Sequence, residues 1–301
     1  ELKKVLTGIL ERVKHSDIYK EVQEIKKKII NTPKRPEQLV FAFIPHEMAK
    51  VSIFFPMSDK ELKEERRLIQ KIEHESSWGK IVIEGVKLAI FEEDIFLTLM
   101  TIAKKKMKFV DGQYLLEINM KEIIHLLYGT SGYSTKKAID LIIRALDHFQ
   151  LVKFTITLFD KKNELKKEGL RGSIGNIVQS HYYDPKTQNL KIYFNPHFCA
   201  FFLESMLTNI NFTVRRKLKR DGSKALLRFL STHTQPGRMH ILTVLNAINF
   251  NTNQPMNQLR FKLKRFIQEL KKNKVLGPKT KTYLDDTVYF DILPPKKALP
   301  E

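Results

Sequence analysis

Cysteine is almost absent from this chain of 301 residues, which contains a single one, Cys199. One thiol excludes an internal disulfide framework and any zinc module built from several cysteines. A reducing, cytoplasmic setting is therefore predicted. Apolar runs approaching ~18 residues are also absent, so no transmembrane helix is expected. The N-terminal stretch ELKKVLTGIL lacks the apolar core and small-residue cleavage site of a secretory signal.

Acidic residues are scarce relative to basic ones. The chain has 33 Asp and Glu against 53 Lys and Arg, which gives a formal net charge of +20. Such an excess costs self-repulsion unless a polyanion is the partner. Nucleic acid is the first candidate partner and an acidic membrane surface the second. A hydrophobic content of 42% allows a folded core, and at ~150 residues per domain the length predicts about two domains.

Signatures of catalysis are missing as well. Nine histidines form neither HxH nor HExxH, which argues against a relaxase of the His-pair kind and against a zincin. The stretch GLRGSIG (169–175) has spaced glycines but no following GK[ST], so we predict a bend in a wing rather than a phosphate cradle. Asp285 and Asp286 precede a predicted strand and are assigned to a hairpin turn. We predict no enzymatic activity, no catalytic residue, no cofactor and no metal site.

The chain does contain one order of elements twice. The first unit is predicted to comprise helix Glu92–Met107, strand Tyr114–Met120, helix Lys121–Tyr128, helix Ser134–Phe149 and strands near Ile177–Tyr183 and Leu190–Phe194. The second is predicted to comprise helices Lys224–His233, His240–Phe250 and Met256–Asn273, with a hairpin from Val275–Leu276 and Thr282–Ile292. This order is that of a winged helix, a variant of the helix-turn-helix.

The third helices of the two units share a hydrophobic phase. Ile139, Ile142, Ile143 and Leu146 have the same spacing as Leu263, Phe266, Ile267 and Leu270. Agreement in both order and phase supports a divergent repeat. We therefore predict an α+β fold with two tandem winged-helix domains and an N-terminal helical extension. The predicted boundaries are 1–37 for the amphipathic N-terminal helices and linker, 38–205 for the first winged-helix domain with its entry segment, and 206–301 for the second.

The third helix of the second unit is the main candidate for DNA contact. Its apolar residues fall on one side and its basic and amide residues on the other, where ordinary surface helices mix Glu with Lys. Arg and Lys can hold phosphates or guanine, and amides can read base edges. The predicted DNA-binding residues here are Asn257, Gln258, Arg260, Phe261, Lys262, Lys264, Arg265 and Gln268. An ordinary charged surface is the alternative, and Phe261 is left with two positions, against a thymine methyl or packed under the wing.

Other basic groups extend the predicted DNA-binding set. The third helix of the first unit contributes Lys136, Lys137, Asp140 and Arg144, where Asp140 repels phosphate unless it accepts from cytosine or orients Arg144. A predicted wing tip contributes Lys161, Lys162, Lys166, Lys167 and Arg171. The run VRRKLKRDGSK (214–224) contributes Arg215, Arg216, Lys217, Lys219 and Arg220, and the last hairpin contributes Lys279 and Lys281. A solvated hairpin tip and a solvated linker are the alternatives for the wing tip and for the basic run.

Five segments carry a resemblance to a known family. They are IPHEMAKVSIFF (44–55), WGKIVIEGVKLAIFEEDIFLTLM (78–100), YSTKKAIDLIIRALDHFQLVKF (133–154), LKIYFNPHFCAFF (190–202) and LRFKLKRFIQELKKNKVL (259–276). In their order and spacing, from about residue 38 onward, they resemble the iteron-binding plasmid replication initiators of the TrfA/RepA type, which have two winged helices.

The resemblance implies a function. Such proteins bind double-stranded DNA at repeated origin sites called iterons, melt the origin to single strands, recruit helicase and repress their own gene. It also implies self-association, as monomers on iterons and dimers in repression, and contacts with a bacterial host's initiator, replicative helicase and sliding clamp. The clamp motif is partial, because Ala42 follows Gln38-Leu39-Val40-Phe41 where the motif ends in Phe. A winged-helix transcription regulator without a role in replication is the alternative. No membrane partner is expected, since the N-terminal helices carry acids as well as bases.

Overall fold

The computed structural model describes residues 41–50, 52–57, 62, 68–75, 79–129, 135–159, 168–234 and 236–294. The predicted N-terminal helices, within 1–37, lie outside this part of the chain. All described residues belong to one compact unit, Leu39–Glu301. The domain boundary at 205/206 remains a prediction.

The described chain contains both helices and strands. The strands are β1 (Phe41–Pro45), β2 (Phe54–Phe55), β3 (Leu68–Glu75), β4 (Gly79–Val86), β5 (Leu88–Ala89), β6 (Lys108–Val110), β7 (Gln113–Asn119), β8 (Lys153–Phe159), β9 (Glu168–Gly175), β10 (Val178–Asp184), β11 (Asn189–Phe194), β12 (Leu207–Asn211), β13 (Met239–His240), β14 (Lys281–Thr282) and β15 (Thr287–Tyr289). The helices are α1 (His46–Lys50), α2 (Ile90–Lys106), α3 (Met120–Tyr128), α4 (Thr135–Leu151), α5 (Pro196–Glu204), α6 (Phe212–Lys217), α7 (Asp221–Leu230), α8 (Ile241–Ala247) and α9 (Met256–Lys272).

Two sheets show the same strand order and confirm both winged helices. In the first unit, β11 lies between β7 and β10, and in the second, β15 lies between β13 and β14. In both units the strand before the second helix, β7 or β13, flanks the last strand on one side. The other flanking strand is β14, directly after the third helix, in the second unit and β10, after the inserted β8 and β9, in the first. All these pairs are antiparallel. The three helices are α2, α3 and α4 in the first unit and α7, α8 and α9 in the second. The repeat seen in hydrophobic phase is therefore also a repeat of topology.

Local sequence explains where several of these helices begin. Asn119 precedes α3 and its side chain accepts a hydrogen bond from Lys121 N at 3.1 Å. Asn195 and Asn211 cap α5 and α6 in the same way. Side-chain oxygens at this position satisfy amide groups that have no partner inside the helix. The caps fix where each strand ends and each helix begins.

The strands on either side of the predicted wing tip, β8 and β9, belong to a separate, inserted sheet, which corrects the predicted wing. Residues 169–175 lie within strand β9, not in a bend, and β9 pairs with β8. These strands join β3 and β4 in a sheet ordered β3-β4-β8-β9, separate from the winged-helix sheet. Lys161, Lys162, Lys166 and Lys167 lie outside the described residues, in the connection between β8 and β9. The wing of the first unit is instead the turn at 185–188 between β10 and β11.

The predicted linker and the last hairpin also differ from expectation. Residues 214–217 lie in α6 and residues 221–224 begin α7, while Leu218 between the two helices is buried. The last hairpin is shorter than predicted, and Leu276 makes only an isolated bridge to Ile292. The two-residue strand β13 was not predicted, since so short a segment has no periodicity to detect.

Close packing joins the first and third helices of the second unit, α7 and α9. Gly222 lies in the first turn of α7, and a Cβ atom placed there would be 2.2 Å from the ring of Phe266 on α9. Glycine is therefore required for α7 to approach α9 this closely. Asn249 adds a link to the entry segment, because its amide donates to the carbonyl oxygens of Ser52 at 2.5 Å and Phe54 at 3.2 Å.

A buried charge cluster joins the first helices of the two winged units. Glu93 on α2 lies 3.1 Å from Arg215 and 2.5 Å from Arg228, while Asp94 lies 2.6 Å from Arg215 and 2.5 Å from Lys224. Glu93, Arg215 and Arg228 are fully buried. We call these five residues the interdomain charge cluster. It ties α2 to both α6 and α7.

Pairing keeps the cluster charged despite its burial. Burial acts to lower the pKa of Arg215, but Glu93 and Asp94 outweigh it and raise that pKa above its ordinary value. Burial acts to raise the pKa of Asp94, yet Arg215 and Lys224 hold it below its ordinary value. The pKa of Arg228 is lowered, mainly by burial and against the attraction of Glu93. Buried ions of this kind are tolerated only with their partners in place.

We predict that Glu93→Gln destabilises the fold by about 3–5 kcal/mol, because it leaves two buried arginines short of a carboxylate. Urea denaturation of the full chain measures the change in the free energy of unfolding. Glu84→Gln, at an exposed position on β4, is the matched control and should change that free energy by less than about 0.5 kcal/mol. Equal stability of the two variants would contradict the structural role of the cluster.

Candidate nucleic-acid interface

Helix α9, all of whose residues the structure describes, presents a face without acidic residues. Its apolar side chains, among them Leu259, Leu263 and Leu270, are buried. The exposed residues on the other side are Asn257, Gln258, Arg260, Phe261, Lys264, Arg265, Gln268 and Lys272. Four of these are cationic and three are amides, so the face combines phosphate-binding groups with groups that can read base edges.

Glu269, the one acidic residue in the sequence of α9, is turned away from this face. Its carboxylate accepts hydrogen bonds from Lys219 N at 2.6 Å, Ser223 Oγ at 2.7 Å and Arg220 Nη1 at 3.2 Å. Burial acts to raise the pKa of Glu269, but these hydrogen bonds outweigh it and hold the pKa below its ordinary value. The carboxylate therefore anchors the segment that leads into α7 and adds no negative charge to the exposed face.

The wing of the second unit is bound to α9 by an ion pair. Residues 283–286 connect β14 and β15, which confirms the predicted hairpin turn at Asp285 and Asp286. Arg260 donates two hydrogen bonds to the carboxylate of Asp286, one from Nε and one from Nη2. The Nη2 bond is 2.7 Å long. The hydrogen bond from Arg260 lowers the pKa of Asp286, and the same contact raises the pKa of Arg260. Arg260 is thus held in one orientation beside the wing.

A second Arg–Asp pair holds the other side of the turn, and the sequence analysis missed it. Arg238 donates from Nη2 to both oxygens of Asp285, at 2.9 and 2.8 Å. Its guanidinium carbon lies 3.7 Å from the ring centre of Tyr283, and Lys281 Nζ lies 4.8 Å from the same centre. Of the predicted residues here, Lys279 and Lys281 are exposed. In the sequence, Arg238 could have been inferred only indirectly, because the adjacent Asp285 and Asp286 call for basic partners.

Phe261 lies on the exposed side of α9. Its side chain is 59% exposed, so it does not pack beneath the wing. The guanidinium carbon of Arg265 lies 5.5 Å from the centre of the Phe261 ring. This cation–π contact orients Arg265 on the outer face. Lys262 is different, since it is half-buried and its Nζ donates to Gln254 in the turn before the helix.

The recognition helix of the first unit has a weaker electrostatic character. Lys136, Lys137, Asp140 and Arg144 are all exposed on α4, as predicted for one face, but Asp147 is exposed there too. Two acids among three bases leave a small excess of positive charge. The wing turn of this unit adds the exposed Lys186, which the sequence analysis missed because it placed the wing elsewhere.

The basic run 214–224 is divided by the fold. Arg215 is fully buried in the interdomain charge cluster, so its prediction as a DNA contact is wrong, because its guanidinium cannot reach a phosphate from there. Arg216 is half-buried and donates from Nη1 to Leu126 O at 3.2 Å. Lys217 and Lys219 are exposed, while Arg220 pairs with Glu269. Arg171 lies in β9, and its side chain is outside the described part of the structure.

The described residues also bear on metal binding, on the single cysteine and on membrane insertion. Within those residues no three His, Cys, Asp or Glu side chains are placed to hold a metal ion together. Burial raises the pKa of the Cys199 thiol to about 12, which leaves it an inert core group. Nor does any described helix have the length and apolarity needed to cross a membrane.

Comparison with known proteins agrees with this architecture. Residues 81–231 match the family described as Initiator Replication protein, WH1. Among solved structures, domains 2 and 3 of RctB superpose with a TM-score of 0.51 at 12% identity, covering 83% of this chain and 98% of that one. The Pi initiator protein in complex with iteron DNA gives a TM-score of 0.51 at 12% identity, covering 86% of this chain and all of that one. At such identity the two structures are similar in fold alone.

No curated protein matches the sequence closely enough to count as a relative. The family match extends over half of the chain, and it includes α2, α3, α4 and the sheet that forms the first winged helix. The chain therefore belongs to the family of replication initiator proteins defined by this winged-helix domain.

Proposed function

We propose that this protein binds repeated sites, iterons, in double-stranded DNA at a plasmid origin and initiates replication there. The observation that carries the proposal is the exposed face of α9, which presents cations and amides without an acid. Membership of the initiator family supports it, and the Pi initiator, similar in fold, was crystallised with iteron DNA.

The geometry of α9 fits base recognition by a helix-turn-helix protein. In that motif the N-terminal residues of the recognition helix contact base edges in the major groove. Asn257, Gln258 and Arg260 lie at this end and are exposed. Lys264 and Arg265 follow one turn later and can hold the phosphates that flank the groove. In this proposal the first turn of α9 contacts base edges, and the following turn contacts phosphates.

The remaining predicted contacts are proposed at the level of whole elements and not of single residues. We propose that α4 and the wing of the first unit contact a second stretch of the same duplex. Single-stranded origin DNA, self-association, autoregulation, the host initiator, the replicative helicase and the sliding clamp stay expectations from the resemblance. So do a cytoplasmic location and the lack of a catalytic activity.

A transcription regulator of the same fold is the competing function. The family match favours an initiator, because the matched domain is described by its role in replication. Transfer of the gene together with its adjacent repeats into a plasmid lacking an origin decides between the two. An initiator should support replication of that plasmid, whereas a regulator should only alter transcription.

We predict that the full chain selects a repeated sequence from random duplexes. At physiological salt the selected site should bind at least about a thousandfold more tightly than a scrambled duplex, as is usual for specific DNA-binding proteins. Fluorescence anisotropy with both duplexes measures this ratio. A ratio near one would exclude the proposed function.

We predict that releasing Arg260 from the wing changes base preference, whereas removing Lys264 changes overall affinity for DNA. Asp286→Asn frees Arg260 from its orientation and should cost about 1–3 kcal/mol of discrimination at one base pair, without reducing the salt dependence. Lys264→Ala should weaken binding to all sequences alike and reduce the salt slope by about one. Binding to a set of single-base variants of the selected site, at several salt concentrations, separates the two effects.

Asp285→Asn is the matched control for this comparison. It changes the neighbouring aspartate of the same turn, but its partner Arg238 is not on α9. Base preference should therefore survive in Asp285→Asn. Loss of preference in both variants would show that the wing as a whole matters, and that Arg260 is not oriented by Asp286 alone.

A further inference from the structure

The wing of the second unit carries an apolar side chain at its tip. Leu284 is 101% exposed, in the turn between β14 and β15. Tight hairpin turns normally carry Gly, Asn or Asp at such positions. A leucine that buries no surface contributes nothing to the stability of the fold through the hydrophobic effect. Leu284 is the most exposed of the large apolar side chains in the described residues, so it is fully available to a partner of the wing.

The turn holds Leu284 at a fixed place relative to the recognition helix. On one side Asp286 is bound to Arg260 of α9, and its carbonyl oxygen accepts from Ile241 N at 2.8 Å, at the start of α8. On the other side Asp285 is bound to Arg238. Both ends of the turn are thus attached to the body of the winged helix, and the tip cannot fold back without breaking ion pairs.

The surroundings of Leu284 suit a polyanion rather than an apolar protein surface. Both aspartates of the turn are neutralised by arginines. Lys281 is exposed beside the tip, with its Nζ over the ring of Tyr283. An apolar point flanked by cations matches a groove of duplex DNA, whose phosphates line both edges.

The attachment of the wing to α9 indicates which DNA groove Leu284 would meet. Arg260 projects from the N-terminal part of α9, the part that enters the major groove in this motif. With α9 in the major groove, a tip fixed beside α9 through Asp286 would meet the adjacent groove of the same duplex, which is the minor groove. Proteins that insert leucine there wedge apart one base step and kink the DNA.

We propose that Leu284 is a wedge that enters the minor groove beside the α9 site, partly unstacks one base step and bends the duplex. The proposal rests on the proposed function, because it requires a specific complex with DNA. Flexible pyrimidine–purine steps are the cheapest to open, so the wedge favours such a step at a position that no hydrogen bond reads.

The test uses the full chain and the duplex recovered by selection, with 2-aminopurine placed at successive steps beside the α9 site. The wild-type protein should raise the fluorescence at one step by about threefold or more, since unstacking relieves quenching, and end-to-end energy transfer should report a bend of about 20–90°. Leu284→Ala should abolish the fluorescence rise and reduce the bend, while the preference for the selected over the scrambled duplex is kept. Leu203→Ala, at another exposed leucine on α5, is the matched control and should behave as wild type.

A second variant guards against a change in folding. Leu284→Lys keeps the side chain exposed and adds a cation, so it should bind as well as wild type and still fail to unstack the step. If either Leu284 variant unstacks and bends the duplex as wild type does, the wedge is overturned while the proposed function stands. If the wild-type protein selects no repeat at all, the proposed function and the wedge are both overturned.

Discussion

The carboxylates of Glu93 and Asp94 decide how the two winged helices are placed, because they hold three cations from the second half of the chain. Arg215 and Arg228 are fully buried at this contact and have no route to solvent. Sliding α7 along α2 would separate these ions from their partners, at several kcal/mol for each buried charge. A purely apolar contact would tolerate such a shift far better. The cluster thus selects one register, and with it one spacing between α4 and α9, the helices proposed to contact DNA.

Within the second unit, the division of α9 into two faces follows from where its one acid goes. The carboxylate of Glu269 points inward and accepts hydrogen bonds from Lys219 N and from Ser223 Oγ in the first turn of α7. The same contact stabilises the packing of α7 on α9 and keeps negative charge off the exposed side of α9, which is proposed to contact DNA. Core packing and electrostatics are therefore not independent here, since one carboxylate serves both. The wing completes the arrangement by orienting Arg260, whose partner Asp286 is remote in sequence and adjacent in space.

What could be predicted from the sequence is what depends on local periodicity. Apolar spacing gave α4 and α9, their exposed residues and the repeated order of elements, because each of these is encoded within a few turns. Arg215 could not be placed, since its carboxylate partners lie more than a hundred residues earlier and nothing local distinguishes a buried arginine from its exposed neighbours. The inserted sheet was missed for a similar reason: β8 and β9 resemble a wing until their pairing with β4 is known. Arg238 and Leu284 lie in short irregular segments, where no pattern marks either residue.

The pair formed by Arg260 and Asp286 has a consequence for how the family can diverge. Asn257, Lys264 and Gln268 are exposed on α9 and have no role in the core, so each can change singly as an origin acquires a new repeat. Arg260 is shared between the helix and the wing, and its replacement leaves Asp286 without its arginine beside the face proposed to contact DNA. Evolution toward a different base at that position therefore needs two substitutions, and residues 260 and 286 should vary together among descendants of this protein.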